Sequence, residues 1–358
     1  QLRWIRARVG MLDLTNRPRP AGSVHAADAI ALLVSGSCPA GLACINNAQV
    51  YNSLRSHALH PLRSAGHVVN LFVCLSTGDA PLSQLAREAL NPTRSVHLAN
   101  AGPSADALAA LVDANGGAPL VRTKTPEIFG QHQRLRGCYE VARKVDNYAW
   151  FVRMRPDLML WSAMAPILTL SSSAVHVRAR SAYGRYDLLD AHFSNPVLRQ
   201  LASHCDGVPS PQDVVIHKGC ITVDDQAFAV PAGLAHATFA FATSLHEPSF
   251  HRARRLLPMC GCWDCAEGLL TQHLMLQNLS FVPWLLNATL SRDAARAKPG
   301  LWGKSCTCCD AHDKCKLALT TGNASLARSC EPTEPRPVSS RAQHVRASHV
   351  SPWVRDVS

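Results

Sequence analysis

The sequence predicts an α/β fold in which helices flank a mainly parallel central sheet and a mixed half follows. Apolar runs of strand length alternate with segments of helical length through the first half of the chain. The first two runs end at turn formers, Ser35-Gly36-Ser37 and the segment from Ser76 to Asp79. In a chain of 358 residues, 47% hydrophobic and 17% charged residues are enough for a substantial core.

The first half contains the strand and helix alternation. Because each predicted helix is long enough for a crossover connection, consecutive strands are expected to run parallel. β-branched and aromatic residues favour the strand assignments. The predicted strands cover 29–34, 68–75, 95–98 and 150–154, and the predicted helices cover 46–64, 81–90, 104–114 and 126–145.

The second half has shorter apolar runs and longer loops, which predicts a mixed sheet. The Asp224-Asp225-Gln226 group lies between two such runs, 221–223 and 227–230. The predicted strands are 174–178, 214–216, 220–223, 281–284 and 286–290, and the predicted helices are 231–241 and 265–277.

The segment from Trp150 to Leu158 is an apolar run that stops at an Arg-Pro-Asp step. Pro156 cannot donate a ladder hydrogen bond, so the strand is expected to end there and to leave Asp157 facing an opening. This carboxylate either serves chemistry or caps a following helix. Arg153 and Arg155 alternate along the strand and share one face, where they contact a diphosphate or pair with carboxylates at the core edge.

The charge and the chain ends suggest a domain organisation. A net charge of +11 suits anionic partners, including nucleotide phosphates, but the basic residues form no run of five, so nucleic acid is not expected. No stretch approaches the ~20 apolar residues that span a bilayer, although a membrane anchor upstream of Gln1 is compatible with the sequence. We predict an arm or linker at 1–28, the main domain at 29–292, a Cys-rich extension at 293–330 and a disordered tail at 331–358.

The cysteine content points to an oxidising secretory compartment. The chain has 14 Cys, and glycosylation sequons begin at Asn278, Asn287 and Asn323. Two cysteine clusters hold either disulfides or zinc, and disulfides are favoured because the spacings do not match a paired C-x₂-C frame. The clusters consist of Cys260, Cys262 and Cys265, and of Cys306, Cys308, Cys309 and Cys315.

Two further cysteine pairs lie near predicted strands. Cys38 and Cys44 flank a turn, so they are expected to close a short loop after the first strand. Cys74 and Cys138 lie in apolar surroundings, which favours buried free thiols.

Four motifs carry a resemblance to a known family. They are Gln133-Arg134 with Cys138-Tyr139, Trp150 to Leu158 with its R-x-R-P-D pattern, Asp224 to Val230 with its D-D-Q pattern, and Glu267 to His273. Together they resemble eukaryotic glycosyltransferase-like proteins of GT-A type, with similar patterns in bacterial lipopolysaccharide-synthesis transferases. The resemblance covers 29–292. It implies a nucleotide-binding α/β half, an acceptor-binding half and a sugar nucleotide as donor.

The donor site is expected at the carboxyl ends of the parallel strands, where ligands bind in α/β sheets. The end of the first strand, Ser35-Gly36-Ser37, is the candidate cradle for the nucleotide. The resemblance places the metal or donor-ribose carboxylate at Asp157, and Arg134, Arg153 and Arg155 are the candidate cations for the donor.

A departing nucleoside diphosphate must be neutralised by a divalent cation or by Arg and Lys in its place. The resemblance makes Asp157 the candidate ligand for Mg²⁺ or Mn²⁺. The family's Asp-x-Asp is replaced by Arg155-Pro156-Asp157, which makes such a cation possible and not required. A single carboxylate remains workable, because the phosphates supply further oxygen ligands.

A general base is needed if the reaction inverts the anomeric carbon. Asp224 and Asp225 point to opposite faces of an extended chain, and the matched pattern favours Asp225 as the one in the cleft. Glu267 is the alternative base. His273 lies six residues later, which is about 600° of helical rotation, so it is expected to be a packed helix residue.

These observations predict a glycosyltransferase that moves a sugar from a nucleotide-sugar donor to a glycan or glycoconjugate acceptor, in the Golgi lumen or secreted. The missing Asp-x-Asp supports an alternative, a catalytically inactive, disulfide-stabilised protein that binds glycans or acts as a scaffold. A zinc-binding module built on the cysteine clusters is the third interpretation.

Overall fold

A computed structural model describes residues 29–38, 44–99, 102–117, 125–182, 196, 220–257, 265–284, 286 and 288–290. The predicted strand at 214–216, the arm, the extension and the tail lie outside these residues, and the predicted domain limits stay predictions. The described strands are β1 (Ala29–Ser35), β2 (Val68–Ser76), β3 (Arg94–Leu98), β4 (Trp150–Met154), β5 (Leu158–Leu160), β6 (Val175–Ala182), β7 (Cys220–Pro231), β8 (Phe281–Pro283) and β9 (Ala288–Leu290).

The described helices begin near polar caps where the sequence offers them. Ser83 and Ser104 accept hydrogen bonds from Ala86 and Ala107 backbone N–H groups, which fixes the first turns of α3 and α4. The helices are α1 (Ala48–Leu54), α2 (His60–Ser64), α3 (Gln84–Leu90), α4 (Ala105–Ala114), α5 (Thr125–Ala142), α6 (Ala232–Phe239), α7 (Phe241–Ser244), α8 (Pro248–Arg254) and α9 (Ala266–Leu276).

Within the described residues, a seven-stranded sheet has the order β3-β2-β1-β4-β7-β6-β8, and β5 pairs with β9 in a separate two-stranded sheet. β1 runs parallel to both β2 and β4, and β2 runs parallel to β3. β7 lies antiparallel between β4 and β6. The predicted fold class, a mainly parallel sheet flanked by helices with a mixed second half, is therefore confirmed.

Both faces of the sheet are buried, so β1 is apolar at every position but its last. Ala31 and Leu33 pack into a cluster with side chains of α5 and α9, whereas Leu32 and Val34 pack on the opposite face with side chains of α1 and α3. A parallel strand covered on both faces gives a continuous apolar run instead of an alternating one. The sheet forms the middle of three layers.

The helix predicted at 46–64 contains a π-helical segment, Arg55–Leu59, between α1 and α2. Pro61 has no N–H to donate to the His57 carbonyl one turn earlier. The Met164 N–H donates to that carbonyl instead, at 2.6 Å. The local widening of the helix thus follows from one proline and from a partner distant in sequence.

Several element predictions need correction. The two runs around Asp224 are parts of one strand, β7, and its pairing with β6 shifts register between Val177 and Ala179. β5 and α8 were not predicted. The predicted helix at 231–241 ends at Phe239, and α7 follows as a separate turn of helix.

Of the two predictions about cysteine pairs, one is confirmed and one was wrong. Cys38 and Cys44 form a disulfide, as predicted. Cys74 and Cys138 were predicted to be free thiols, and this was wrong, because they form a disulfide between β2 and α5. Both cysteines are fully buried, so their apolar surroundings did not distinguish a thiol from a disulfide. The two cysteine clusters lie outside the described residues except for Cys265, whose sulfur accepts a hydrogen bond from Gly268 N.

Among the described helices, none has the length and apolar character needed to cross a membrane. Asn278, the first residue of the one sequon that lies within the described residues, is exposed just beyond the end of α9. The disulfides fit an oxidising compartment.

Candidate functional site

The carboxyl ends of β1, β2 and β4 meet at one edge of the sheet. Gly36 N, just beyond β1, donates a hydrogen bond of 3.2 Å to the Cys74 carbonyl near the end of β2. Arg155 N, just beyond β4, donates one of 3.0 Å to the Gln226 carbonyl of β7. The loops after the parallel strands and the middle of β7 therefore lie side by side, at the edge where α/β sheets bind ligands.

Asp157 and Arg155 form a bidentate ion pair at this edge. Arg155 Nε donates to Asp157 Oδ1 at 2.8 Å, and Nη2 donates to Oδ2 at 3.0 Å. The two side chains are 19% and 11% exposed, so the pair lies at the border between core and solvent. Burial disfavours the charge of Arg155, but the Asp157 carboxylate outweighs it and raises the pKa of Arg155. Asp157 caps no helix, because β5 follows it.

Gly36 brings the end of β1 against the turn after β4. A Cβ atom at Gly36 would lie 2.6 Å from Pro156 Cδ. Ser35, the preceding residue, is fully buried, and its Oγ has no hydrogen-bond partner among the described residues. Ser35 thus lies below the surface of the edge, and Ser37 is the partly exposed member of the predicted cradle.

Asp79 organises the loops after β1 and β2, and sequence reasoning missed it. One carboxylate oxygen accepts from Ser37 Oγ at 3.2 Å. The other accepts from Cys38 N at 2.8 Å and from Ser76 N at 2.9 Å. The signal in the sequence was a carboxylate directly after a buried parallel strand, in the Ser-Thr-Gly-Asp turn.

Asp225 faces this edge from β7. Its Oδ2 accepts a hydrogen bond from Gln131 Nε2 of α5, and Gln131 Oε1 accepts a 3.4 Å hydrogen bond from Arg155 Nη1. Burial opposes ionisation of Asp225, but the charges of Arg153 and Arg155, together with smaller contributions from His132 and the Gln131 hydrogen bond, lower its pKa. Gln131 was also missed; it lies three residues before Arg134, on the same face of α5.

Asp224 points to the other side of β7, as predicted for adjacent residues of an extended chain. Its Oδ1 accepts from Gln226 N at 2.9 Å, and its Oδ2 lies 3.5 Å from Arg178 Nη1. The register shift between β6 and β7 lies beside this segment. Irregularities of this kind are frequent next to functional sites, because they change the direction of nearby side chains.

Arg153 lies within the core behind this edge. It is fully buried, its Nη1 donates to the Gln226 carbonyl at 2.5 Å, and its guanidinium lies 5.9 Å from the Phe228 ring centroid. Burial lowers the pKa of Arg153 to about 10, although the Asp225 carboxylate opposes the shift. Arg153 therefore acts on Asp225 and the edge through its charge.

Arg134 is a second buried cation, on α5. Its side chain is nearly fully buried, and Nε and Nη1 have no hydrogen-bond partner among the described residues. Burial lowers the pKa of Arg134, the Asp79 carboxylate opposes that shift, and the Arg155 charge adds to it. Arg134 lies on the same face of α5 as Gln131, which contacts Asp225 and Arg155.

Glu267 and His273 lie on α9, which packs against β7. Glu267 is in the first turn, and the Thr271 hydroxyl one turn later accepts a 2.9 Å hydrogen bond from Val223 N. The helix start is therefore near the Asp224 segment. His273 is fully buried, and its Nε2 lies 2.9 Å from the Ala237 carbonyl, so it is the packed residue that was predicted.

The residues at this edge offer few ligands to a divalent cation. Mg²⁺ and Mn²⁺ bind oxygen ligands, and both oxygens of Asp157 are already held by Arg155. In the described part of the chain, no group of three or more His, Cys, Asp or Glu side chains is arranged to hold a metal ion. The metal expected at Asp157 stays a prediction, and the occupied carboxylate weighs against it.

Comparisons with known proteins complete the description of the site. The sequence matches no protein-family model, and no curated protein is similar to it at a significant level. Among solved structures, the chain is similar to the crystal structure of mouse xyloside xylosyltransferase 1 in its apo form, with a TM-score of 0.37 and 12% sequence identity. The similarity covers 72% of this chain and 85% of that chain.

Proposed function

We propose that this protein is a glycosyltransferase of GT-A type that moves a sugar from a nucleotide-sugar donor to a glycan or glycoconjugate acceptor. One observation carries the proposal. At the carboxyl edge of the parallel strands, Gln131 links the ion pair of Arg155 and Asp157 to the Asp225 carboxylate. The buried Arg134 lies three residues after Gln131, on the same face of α5. Cations at that edge suit a phosphate-bearing ligand, and carboxylates suit hydroxyl groups.

The reaction breaks the bond between the anomeric carbon of the sugar and a phosphate oxygen, and the nucleoside diphosphate leaves with the electron pair. The acceptor hydroxyl oxygen forms the new glycosidic bond, and its proton passes to a base. Fixed guanidinium groups stabilise the charge that grows on the leaving diphosphate. Arg155 and Arg134 have this role in the proposal, with Arg153 adding charge from behind.

Asp225 is the proposed base, with Glu267 as the alternative. The lowered pKa of Asp225 keeps it ionised near neutral pH, which is the state a base requires, although it also weakens proton affinity. Glu267 lies at the start of α9, beside the strand that carries Asp225. The nucleotide is proposed to lie over Ser35, Gly36 and Ser37, where the Asp79 carboxylate holds the loop.

Replacing Asp157 tests the proposal. Asp157→Asn removes one charge of the ion pair and frees Arg155, so we expect sugar transfer to fall by about 10²-fold or more. A panel of UDP-, GDP- and CMP-sugars, with and without Mn²⁺, measures transfer and donor hydrolysis. The exposed Asp113→Asn on α4 is the matched control and should behave like the unmodified chain. Full activity of a folded Asp157→Asn variant would remove the proposal.

The inactive alternative has one observation in its favour, because the carboxylate that would hold a metal is occupied by Arg155. Calorimetry with the same nucleotide sugars separates the two functions, since a glycan-binding scaffold should bind none of them. For either function we propose an oxidising compartment, the Golgi lumen or the cell exterior, which the disulfides support.

A further inference from the structure

Several buried guanidinium nitrogens at the carboxyl edge of the sheet, and in the core behind it, have no hydrogen-bond partner in the part of the chain that the structure describes. Among the described residues, Nε and Nη1 of Arg134 and Nε and Nη2 of Arg153 are buried without partners. Asp157 accepts from Arg155 through both oxygens, and Asp79 accepts from the two loops it joins. Asp225 accepts from Gln131 through Oδ2. Buried charged donors without partners favour an anionic ligand.

Arg155 has one nitrogen that a ligand can compete for. Nε and Nη2 hold Asp157, whereas Nη1 makes a long hydrogen bond of 3.4 Å to the neutral Gln131 amide. A phosphate oxygen is a stronger acceptor than the amide oxygen, because its negative charge also attracts the guanidinium. The planar guanidinium also matches phosphate geometry. Arg155 Nη1 can therefore bind a phosphate oxygen while Asp157 holds the Arg155 side chain in place.

A divalent cation fits the same group of residues poorly. It would compete with Arg155 for both Asp157 oxygens, which lie 2.8 and 3.0 Å from guanidinium nitrogens. It would also lie beside the positive charges of Arg155 and Arg134 and be repelled by them. The Asp225 carboxylate is then left for a cation at this edge, and the charges of Arg153 and Arg155 already act on it.

We propose, on the basis of the nucleotide-sugar donor suggested above, that Arg155 and Arg134 bind its diphosphate directly without a divalent cation. Asp157 is then a positioning residue for Arg155 and not a metal ligand. The inference concerns binding of the donor diphosphate, so it can be tested separately from sugar transfer.

Calorimetric titration of the full chain tests the inference, with UDP, GDP and inorganic pyrophosphate as probes in EDTA and in MnCl₂. The dissociation constant for the bound probe should be the same in both buffers. Arg134→Gln should weaken binding about tenfold or more, because it removes a charged donor. Arg134→Lys should retain part of the affinity, since it keeps the charge but loses the planar fork.

Arg136→Gln on the same helix is the matched control. Arg136 lies two residues from Arg134, about 200° around α5, and it contacts Thr243 and Glu140. It loses the same charge but should bind the probes as the unmodified chain does. Circular dichroism checks that each variant is folded. If Arg134→Gln does not fold, the comparison of EDTA with MnCl₂ on the unmodified chain decides the matter.

Binding that requires MnCl₂, binding absent from both buffers, or unchanged affinity in folded Arg134→Gln would overturn the inference. Sugar transfer that depends on Mn²⁺ would leave the proposed function standing while this inference falls. Cation-free binding of UDP or GDP without transfer from any nucleotide sugar would support this inference and contradict the proposed function.

Discussion

Gly36 is the residue at which close packing and the proposed site coincide. A Cβ there would lie 2.6 Å from Cδ and 3.1 Å from Cγ of Pro156. A proline ring cannot rotate away, so Gly36→Ala must shift the end of β1 or the turn that carries Arg155 and Asp157. Overpacking of this kind costs about 1–3 kcal/mol. We expect thermal denaturation to show a Tm lower by several degrees, and calorimetry to show UDP affinity reduced by about tenfold.

Gly233→Ala is the control for that substitution. Gly233 lies in α6, and a Cβ atom there would meet nothing within 4 Å. Alanine in a helix is favoured over glycine by about 0.5–1 kcal/mol, so Tm should stay the same or rise and UDP affinity should not change. Equal UDP affinity in Gly36→Ala and the unmodified chain would mean that the contact with Pro156 does not position the site.

At the residue scale, the sequence predicted where a residue lies in the fold better than which residues it contacts. Pro156 correctly indicated a strand end with Asp157 just beyond it, because proline acts on its immediate neighbours. That Arg155 pairs with Asp157 depends on the shape of the turn, and the two alternatives for the arginines stayed open. Asp79 and Gln131 were missed because their contacts join segments 41 and 94 residues apart in sequence.

At the element scale, the Cys74–Cys138 disulfide fastens α5 to β2, and α5 carries Gln131 and Arg134. Its cysteines are 64 residues apart, so loop-closure entropy predicts a stabilisation of about 4 kcal/mol. We expect Cys74→Ala with Cys138→Ala to lower Tm by about 10 °C and to weaken UDP binding, because α5 is then free to move on the sheet. Thermal denaturation and calorimetry measure the two effects.

The second disulfide provides the comparison. Cys38 and Cys44 are 6 residues apart, so the same entropy argument gives only about 2 kcal/mol for their removal. Cys38→Ala with Cys44→Ala should therefore lower Tm by about half as much. An equal or larger loss from the short loop would show that loop length is not what governs the stabilisation.

Predictions of strands were correct where the residues of the segment itself define the strand, and wrong where pairing with other strands defines it. β4 was predicted at 150–154 and covers Trp150–Met154, because a buried apolar run and a proline define it locally. β9 lies within the strand predicted at 286–290, whereas β5 was missed because its three residues form a strand by pairing with β9. β7 continues through Asp224, Asp225 and Gln226, polar residues that argued for a break, because β4 and β6 hold it from both sides.

At the scale of the whole molecule, histidines packed between α5 and the C-terminal helices make stability depend on pH. His132 lies 4.5 Å from the Phe241 ring and His273 lies 5.2 Å from it, measured between centroids. Burial lowers the pKa of His132 to about 3 and that of His273 to about 4. Burial also lowers the pKa of His251 to about 4, with the Leu245 carbonyl opposing the shift. These side chains stay neutral in the fold under mildly acidic conditions.

The sign of the effect follows from proton binding. Below pH 6.5 the unfolded chain protonates these histidines and the folded chain does not, so the free energy of unfolding falls as pH falls. Each histidine contributes up to about 1.4 kcal/mol per pH unit until its folded pKa is reached. Asp225 affects stability at a lower pH. The ionised carboxylate stabilises the fold, and this stabilisation is lost only as the pH falls below 3.8, the ordinary pKa of the group. Urea denaturation should show the midpoint falling steadily between about pH 7 and pH 5.

His273→Gln identifies the histidines as the cause of this slope. The Gln amide can still donate to the Ala237 carbonyl that His273 Nε2 contacts at 2.9 Å, but it does not titrate. The variant should lose less stability between about pH 7 and pH 5 than the unmodified chain, by up to about 2 kcal/mol. His60→Gln, at an exposed position of α2, should keep the original slope. If His273→Gln also kept it, protonation of the packed histidines would not be what weakens the fold in acid.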